Sequence, residues 1–462
     1  MPAPSLTRRE WTIVLALAAG ALVLRIAMGQ GALWLDEAWS AMHAQAAHTP
    51  LGVFLGINHD NNHHLNSLWM QWVGIDAPPV LQRALAIVTS TATVVVAAML
   101  ARRDSWPAAL VAATIFAVSP FFAHYGSEAR GYAPMMLALL MVLLRTQHWL
   151  DGGMRPTAAL VLWSVIGVLS QLTMVVGLVA VTGWALMTLA RRMPFRTAVA
   201  ETARTFAPAA IAGALVLGGI LLAAKLNSGG MRFGAYLAYT GHDQLRALFS
   251  ITGYTIANPV IAAWPALALL VVLMLATRQR SPRVAFYWLA LVAFPAAVAV
   301  LQPGNPGHAR YYALMAVAIA LMLSDVAGTW IRTGGRRRVA ALTAVALLVG
   351  ASLIEDARLI RNQRGDPGRA IVAMRQVAPR GTGILVDRQS AVPVVTAAAL
   401  VHQYPLRITR QDCSGAPFLF IDRYDDEAFP EIERRCGRVY VPFATLRAVG
   451  MTNFHWRLFR LR

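Results

Sequence analysis

The sequence has little charge for its length. Charged residues make up 14% of its 462 positions and hydrophobic residues 57%, whereas soluble domains carry about 25% charged residues. The mean hydropathy is +0.53. These values exclude an ordinary cytosolic enzyme and indicate a membrane protein.

Lysine, acidic residues and cysteine are also scarce. The 41 basic residues include a single lysine, Lys225, and face 22 acidic residues, for a net charge of +19. In a soluble protein this excess suggests nucleic acid as a partner. In a membrane protein it reports topology, because Lys and Arg stay in cytoplasmic loops, so no nucleic-acid partner is expected. Cys413 and Cys436 are too few for a disulfide scaffold, and one disulfide or two buried thiols are equal alternatives.

Apolar stretches of about 20 residues, the length that crosses a bilayer, recur along the first three quarters of the chain. The first reads as a retained anchor, because no small-residue cleavage site follows it. We predict eleven spans, at 11–29, 79–101, 106–124, 131–148, 157–171, 173–190, 205–225, 259–277, 284–301, 310–330 and 338–354.

Basic residues divide unequally between the two sides of these spans. With a cytoplasmic N-terminus, 17 fall in cytoplasmic loops and 7 at or beyond the opposite face, which supports the topology. The segment from Glu355 to Arg462 then lies outside the cytoplasm. The predicted division is a transmembrane catalytic domain at 1–354, with an outer loop at 30–78, and an extracytoplasmic domain at 355–462.

The last segment has the composition of a soluble domain, since it holds 11 of the 22 acidic residues. Asp366 and Pro367 resemble an N-cap and a first helical residue, which predicts a helix to about Val377. Apolar runs at 383–387, 406–409, 418–422 and 439–443 predict strands, and a helix is expected at Asp426–Arg435. We therefore expect a small α/β domain.

Few acidic residues are available to a site on the outer side. Asp36 and Glu37 lie just past the first span, between Trp34 and Trp39. A carboxylate against apolar surface has its pKa raised by desolvation and can serve as a general base near neutral pH. The alternative is that the tryptophans form an interfacial belt and the acids are merely solvated there.

Polar residues in two further outer loops are candidates for binding. His59, Asp60, His63 and His64 begin an amphipathic segment that we expect to lie on the outer face as a helix. Asp36, His59 and His63 carry donors that suit a divalent cation, but polar residues organising a substrate pocket are the favoured interpretation, so no metal is assigned.

Charged residues also stand at the outer ends of two later spans. Glu128 with Arg130 fits a structural salt bridge, and equally a site for a lipid phosphate and a sugar. His308, Arg310 and Tyr311 start the tenth span, where Arg310 requires an anion.

These segments together resemble a known family. The motifs are W-L-D-E-A-W-S (34–40), N-H-D-N-N-H-H-L-N-S-L-W-M-Q-W-V-G (58–74), Arg83, S-P-F-F-A-H-Y-G-S-E-A-R-G-Y-A (119–133) and A-R-Y-Y (309–312). Their order and spacing resemble the GT-C membrane glycosyltransferases, nearest the family 39/83-like group with protein O-mannosyltransferases and lipid A aminoarabinose transferases. The resemblance is good over residues 10–150, thinner to 330 and weak in the tail.

The resemblance implies a polytopic α-helical enzyme of the bacterial inner membrane. Such enzymes move a sugar from a polyprenyl phosphate donor to a hydroxyl of an envelope glycan, lipid or protein at the periplasmic face, usually with inversion. It also implies a catalytic role for Asp36, with Glu37 beside it, and a second acid at Glu128. One departure is that His63-His64-Leu65-Asn66 stands where the family commonly has His-Pro-Pro-Leu.

The expected reaction is a direct displacement at the anomeric carbon. Asp36 takes the proton of the acceptor hydroxyl, while Arg130 and Arg310, with Lys225 or Arg232, hold the departing phosphate. The outer loop 226–258, which includes Tyr236, is either a lid or a passive connector. A transporter or flippase for a lipid or anion is the alternative function, and it predicts charges near the bilayer midplane and repeated broken helices. A third interpretation makes the tail a binding module on an inert membrane base.

Overall fold

The computed structural model describes residues 6–57, 62–228, 230, 237–257, 281–424 and 427–462. The chain divides into two compact units. The helical unit comprises Met1–Arg25, Asn58–Leu65 and Leu85–Asp356. The sheet unit comprises Ile26–Ile57, Asn66–Ala84 and Ala357–Arg462, so it joins the tail to two segments from the first part of the chain.

Helices dominate the described part of the chain. In chain order they are α1 (Arg8–Met28), α2 (Leu35–Ala46), α3 (Pro50–Leu55), α4 (His64–Val73), α5 (Pro79–Gln82), α6 (Ala84–Arg102), α7 (Trp106–Val118), α8 (Pro120–Tyr125), α9 (Tyr132–Leu150), α10 (Thr157–Ser170), α11 (Met174–Leu189), α12 (Phe195–Ser228), α13 (Gly241–Thr255), α14 (Val284–Leu301), α15 (Ala313–Thr333), α16 (Gly335–Asn362), α17 (Gly368–Val377) and α18 (Ala391–Val401). A π-helical turn, Leu289–Ala293, interrupts α14. Two 3-10 turns lie at Ala309–Tyr312 and Gln363–Gly365.

Ten of the eleven predicted spans coincide with helices. Among the described residues, seven helices are long and apolar enough to cross a membrane, namely α1, α6, α9, α12, α14, α15 and α16. The apolar helices α7, α10 and α11 are shorter. The predicted span 259–277 lies outside the described residues. The predicted class, a multi-pass helical membrane protein with a small C-terminal sheet region, is confirmed.

Small residues allow close packing inside the helical unit. At Gly328 a Cβ atom would lie 2.6 Å from the Cβ of Ala108, so α15 and α7 are in contact along their small faces. A buried guanidinium ties further helices together: Arg283 forms ion pairs with Asp104 and Asp325 and donates to the Gln147 Oε1 at 2.8 Å. These contacts join α15, through Asp325, to the ends of α6, α9 and α14.

The tail builds one mixed six-stranded sheet. The strands are β1 (Thr382–Val386), β2 (Leu406–Thr409), β3 (Phe418–Tyr424), β4 (Glu433–Arg435), β5 (Arg438–Leu446) and β6 (Phe454–Leu461), in the order β2-β1-β3-β6-β5-β4. The β1 strand pairs in parallel with β2 and β3, and the other pairs are antiparallel. The four predicted strands and the helix ending at Val377 are confirmed. The α18 helix, β4 and β6 were not predicted.

The predicted helix at Asp426–Arg435 is wrong. Residues 427–432 are not helical, and Glu433–Arg435 form β4, which pairs with β5. Arg435 stands opposite Arg438, and the two residues between them, Cys436 and Gly437, have φ of 51° and 71°. Two consecutive positive φ angles are the signature of a two-residue hairpin turn. The charged residues Glu433–Arg435 therefore form one strand of a hairpin at the exposed edge of the sheet.

The two cysteines form a disulfide. Cys413 and Cys436 are bonded, which decides between the two alternatives left by the sequence. Cys413 belongs to the hydrophobic core of the sheet, with Leu419, Tyr440 and Phe459. The bond ties the β4–β5 turn to that core.

Candidate active site

Asp36 and Glu37 lie in the first turn of α2. Trp34 is the N-cap residue, and its backbone N–H donates to the Glu37 Oε2 at 3.2 Å, as in a capping box. The positive end of the helix dipole stabilises negative charge at these positions. Trp34 is buried, so it does not belong to an interfacial belt. The Asp36 residue is only half-buried.

Glu37 forms a buried ion pair with Arg83. Both side chains are 0% exposed, and the Arg83 Nε donates to the Glu37 Oε1 at 2.8 Å. Arg83 also donates to the backbone carbonyls of Gly29, Gly31 and Ala32. We call residues 29–34 the α1–α2 loop. Glu37 and Arg83 thus hold this loop immediately before Asp36.

A second group of predicted residues surrounds Tyr132 in the helical unit. The side chain of Tyr132 is fully buried, and its hydroxyl has no hydrogen-bond partner among the described residues. We call this group the arginine cluster. It consists of Tyr132, the four residues whose charges act on it, namely Glu128, Arg130, Arg310 and Tyr311, and His63, whose ring packs against it.

His63 packs edge-on against Tyr132, with ring centroids 5.0 Å apart. The Gly131 backbone N–H donates to the His63 Nδ1 at 3.2 Å, and the same nitrogen lies 3.1 Å from the Ser170 carbonyl oxygen. The Nε2 of His63 has no hydrogen-bond partner in the described part of the structure. A Cβ at Gly131 would lie 1.6 Å from the Ser170 oxygen, so only glycine permits this approach.

His63 and its neighbour in sequence, His64, are neutral at physiological pH. Burial, together with the positive charges of Arg130 and Arg310, holds the pKa of His63 well below its ordinary value. Burial lowers the pKa of His64 to about 4. Neutral imidazoles offer both a donor and an acceptor.

Glu128 and Arg130 stand at the entry to α9, as the sequence places them. Glu128 is fully buried, and the His124 Nε2 lies 3.8 Å from its Oε2. The Arg130 backbone N–H donates to the Glu128 carbonyl oxygen at 2.7 Å. Arg130 is 7% exposed, so its charge is largely removed from solvent.

Arg310 lies in the 3-10 turn before α15 and is half-buried. Its guanidinium is 5.7 Å from the centroid of the Tyr311 ring, within the range of a cation–π contact. The His308 ring meets Tyr311 edge-on, with centroids 5.6 Å apart. Arg130 and Arg310, which the sequence assigned to the same phosphate, both act electrostatically on Tyr132.

Other predicted residues lie elsewhere. Lys225 is exposed in the last turn of α12. His59, Asp60, Arg232 and Tyr236 lie outside the described residues, as does part of the predicted lid. No group of three or more His, Cys, Asp and Glu side chains is placed to hold a metal ion among the residues that were described. Tyr132 was not among the predicted site residues, although it follows Arg130 by two positions in the motif at 119–133.

No family model and no curated protein matches the sequence, but solved structures do. The structure of ArnT from Cupriavidus metallidurans in the apo state superposes with a TM-score of 0.58 at 12% identity, covering 96% of this chain and 97% of that chain. ArnT bound to undecaprenyl phosphate gives 0.51 at 12% identity, with 98% of each chain covered. Arabinofuranosyltransferase AftD from Mycobacteria gives 0.53 at 14% identity. This chain is fully covered in that match but spans 40% of AftD. The chain therefore has the GT-C fold.

Proposed function

We propose that the protein is a glycosyltransferase that takes a sugar from a polyprenyl phosphate donor. The observation that carries the proposal is the arginine cluster. The positive charges of Arg130 and Arg310 act electrostatically on both His63 and Tyr132. The His63 Nε2 and the Tyr132 hydroxyl are buried and have no hydrogen-bond partner in the described residues. Buried polar atoms are normally satisfied, and an anion with several acceptor oxygens can accept a hydrogen bond from each of these two groups beside the two positive charges. The likeness to ArnT, which was solved with undecaprenyl phosphate, supports a lipid phosphate as that anion.

In this proposal Asp36 is the general base. Its half-buried position and its place at a helix N-terminus suit a carboxylate that must be charged and reach a substrate. Asp36 removes the proton of the acceptor hydroxyl, and that oxygen attacks the anomeric carbon as the carbon–phosphate-oxygen bond breaks. The electron pair leaves with the phosphate, and the configuration inverts.

Arg130 and Arg310 stabilise the charge that develops on the departing phosphate. Charged donors in a water-poor site act strongly on developing charge. Lys225 and Arg232 are the next candidates for this role. His308 and Tyr311 flank the phosphate group. Glu128 remains the proposed second acid of the site.

Glu37 and Arg83 have a different role in this proposal. Because each is fully buried and bonded to the other, we assign them to holding Asp36 in place instead of touching the substrate. The acceptor is a hydroxyl of an envelope glycan, lipid or protein at the periplasmic face of a bacterial inner membrane.

The test is release of polyprenyl phosphate by the purified protein. Lipid-linked sugars from a bacterial envelope are supplied in vesicles, with wild-type protein or with Asp36→Asn. We expect the wild type to convert the lipid-linked sugar to free polyprenyl phosphate and a glycosylated acceptor, seen by mass spectrometry. Movement of intact lipid-linked sugar between leaflets without cleavage would overturn the proposal and favour a flippase.

A further inference from the structure

The α1–α2 loop is held from two sides. Arg83 bonds three of its carbonyl oxygens, as described above. Two backbone amides of the loop donate to side chains of the tail. The Gly31 N–H donates to the Gln363 Oε1 at 2.7 Å, and the Ala32 N–H donates to the Asp366 Oδ1 at 2.9 Å. All of these residues belong to the sheet unit. A loop held through this many of its backbone groups has little freedom to change shape.

The same tail segment also reaches the end of α1. The Gln363 Nε2 donates to the Ala27 carbonyl oxygen at 3.0 Å, and the Arg364 Nη1 donates to the Met28 carbonyl oxygen at 3.0 Å. These carbonyls belong to the last turn of the helix, where oxygens lack helical partners. Side chains of the tail therefore cap the C-terminal end of α1, and neighbouring side chains of the same segment bond the loop that follows it.

The backbone of this tail segment is strained. Gln363, Arg364 and Gly365 have φ of 51°, 58° and 75° in succession. Two of the three are not glycine, and left-handed conformations are costly for such residues. Such strain persists only where surrounding contacts impose it, and it clusters at functional sites. Here the Trp456 Nε1 donates to the Gly365 carbonyl oxygen, and the Gly365 N–H donates to the Asn362 Oδ1.

Glycine at position 31 allows the close approach. A Cβ atom there would lie 2.7 Å from the Gln363 Cβ and 3.3 Å from the Asp366 Cβ. Real Cβ atoms do not come so near one another, so any larger residue would push the loop from the tail. The contact between the loop and the tail therefore requires glycine at position 31.

From these contacts we infer that the tail segment Gln363–Asp366 is a positioning element for Asp36. The inference rests on the proposed role of Asp36 as base and extends it, because it gives the C-terminal region a part in catalysis. Asp36 is five positions after Gly31, and the Trp34–Glu37 capping bond joins the loop rigidly to α2. A displacement of about 1 Å at a reacting group can cost about 10²-fold in rate.

The experiment compares Asp366→Ala with Asp366→Asn. The alanine removes the acceptor for the Ala32 amide, whereas the asparagine keeps an oxygen at that position. Gly31→Ala is the independent variant, since it leaves every tail side chain intact. Arg388→Ala is the control, because the exposed Arg388–Glu427 pair lies in the same unit but away from the loop.

We expect faster hydrogen–deuterium exchange of the 29–36 backbone in Asp366→Ala and Gly31→Ala, at an unchanged thermal midpoint. The kcat should fall by about 10-fold to 10²-fold while the KM for the lipid donor changes by less than about 3-fold. Asp366→Asn should restore both exchange and kcat, and Arg388→Ala should alter neither.

Unchanged exchange in both variants would overturn the inference, and so would faster exchange with normal kcat. An equal loss in Asp366→Asn would also overturn it, because the retained oxygen should rescue. A wild type without transferase activity would remove the proposed function and the catalytic role of this segment. The exchange measurement would then still report whether the tail holds the loop.

Discussion

The guanidinium of Arg83 and the carboxylate of Glu37 are joined in a fully buried ion pair, while the adjacent Asp36 is half-buried. Neighbouring acids in one helical turn therefore have different environments. Glu37 is bonded to Arg83 and holds the backbone, whereas Asp36 is the acid that we propose as the general base. Mutations at the two positions should have separable effects.

Asp36→Asn should abolish most of the transfer activity without harming the fold. The amide keeps the shape of the side chain but cannot accept a proton, so kcat should fall by about 10² or more. The thermal midpoint and the affinity for donor lipid should stay near those of the wild type. Near-normal turnover would remove Asp36 from the role of base.

Arg83→Ala should instead destabilise the protein. Removing one partner of a buried ion pair leaves the other charge uncompensated and costs about 3–5 kcal/mol. Arg83→Lys should rescue only in part, because an ammonium cannot reproduce the fork that bonds Glu37 and three carbonyls. The matched control is Arg388→Ala, whose exposed ion pair is worth about 1 kcal/mol or less. Equal thermal midpoints for Arg83→Ala and the control would contradict the structural role.

The lipid phosphate should be held by the arginine cluster. A polyprenyl phosphate analogue should raise the thermal midpoint of the wild type, because a ligand that binds only the folded state stabilises it. The shift should be much smaller in Arg310→Ala and in Arg310→Lys, and smaller in Tyr132→Phe, which deletes only the hydroxyl that has no hydrogen-bond partner in the described part of the chain. Uncharged polyprenol is the ligand control. Equal shifts of the thermal midpoint in all variants would show that the phosphate binds outside the arginine cluster.

Stability should fall on acidification because of His64. Its pKa is about 4 in the folded protein against 6.5 for an exposed histidine. Between these values the unfolded chain binds a proton that the folded chain does not, so stability is lost as the pH falls from about 6.5 towards about 4. The loss between about pH 7 and pH 5 should be about 2 kcal/mol. His64→Gln should show a flatter decline in thermal midpoint, and an identical slope would contradict the assignment.

Labelling of introduced cysteines should report the topology. A cysteine at Gln30, the exposed position of the α1–α2 loop, or on the exposed surface of the tail should react with an impermeant thiol reagent added outside intact cells. A cysteine beside Arg103 or Arg337 should react only after lysis. The native Cys413–Cys436 disulfide contributes no background thiol. Labelling of the tail only after lysis would contradict the extracytoplasmic placement.

Much of the architecture follows from local sequence properties. The apolar runs determined where the helices form, because in a bilayer a run of about 20 apolar residues must satisfy its backbone hydrogen bonds within itself. The strands at 406–409 and 418–424 were likewise predictable from short apolar runs. Glu128, Arg130 and Arg310 could be singled out because a charge beside a membrane span is costly and therefore informative.

The tertiary structure decided the matters that depend on distant partners. The run at 426–435 reads as helical, but pairing with β5 across the Cys436–Gly437 turn makes its end a strand. The sequence could not show that Asp36 and Glu37 have different environments. That difference arises from the ion pair of Glu37 with Arg83, which is 46 positions further along the chain. Nor could it reveal that Gln363 and Asp366 hold the α1–α2 loop more than 330 positions away. A local pattern encodes backbone preference and hydrophobicity, whereas the environment of a side chain is set by residues that only folding brings into contact.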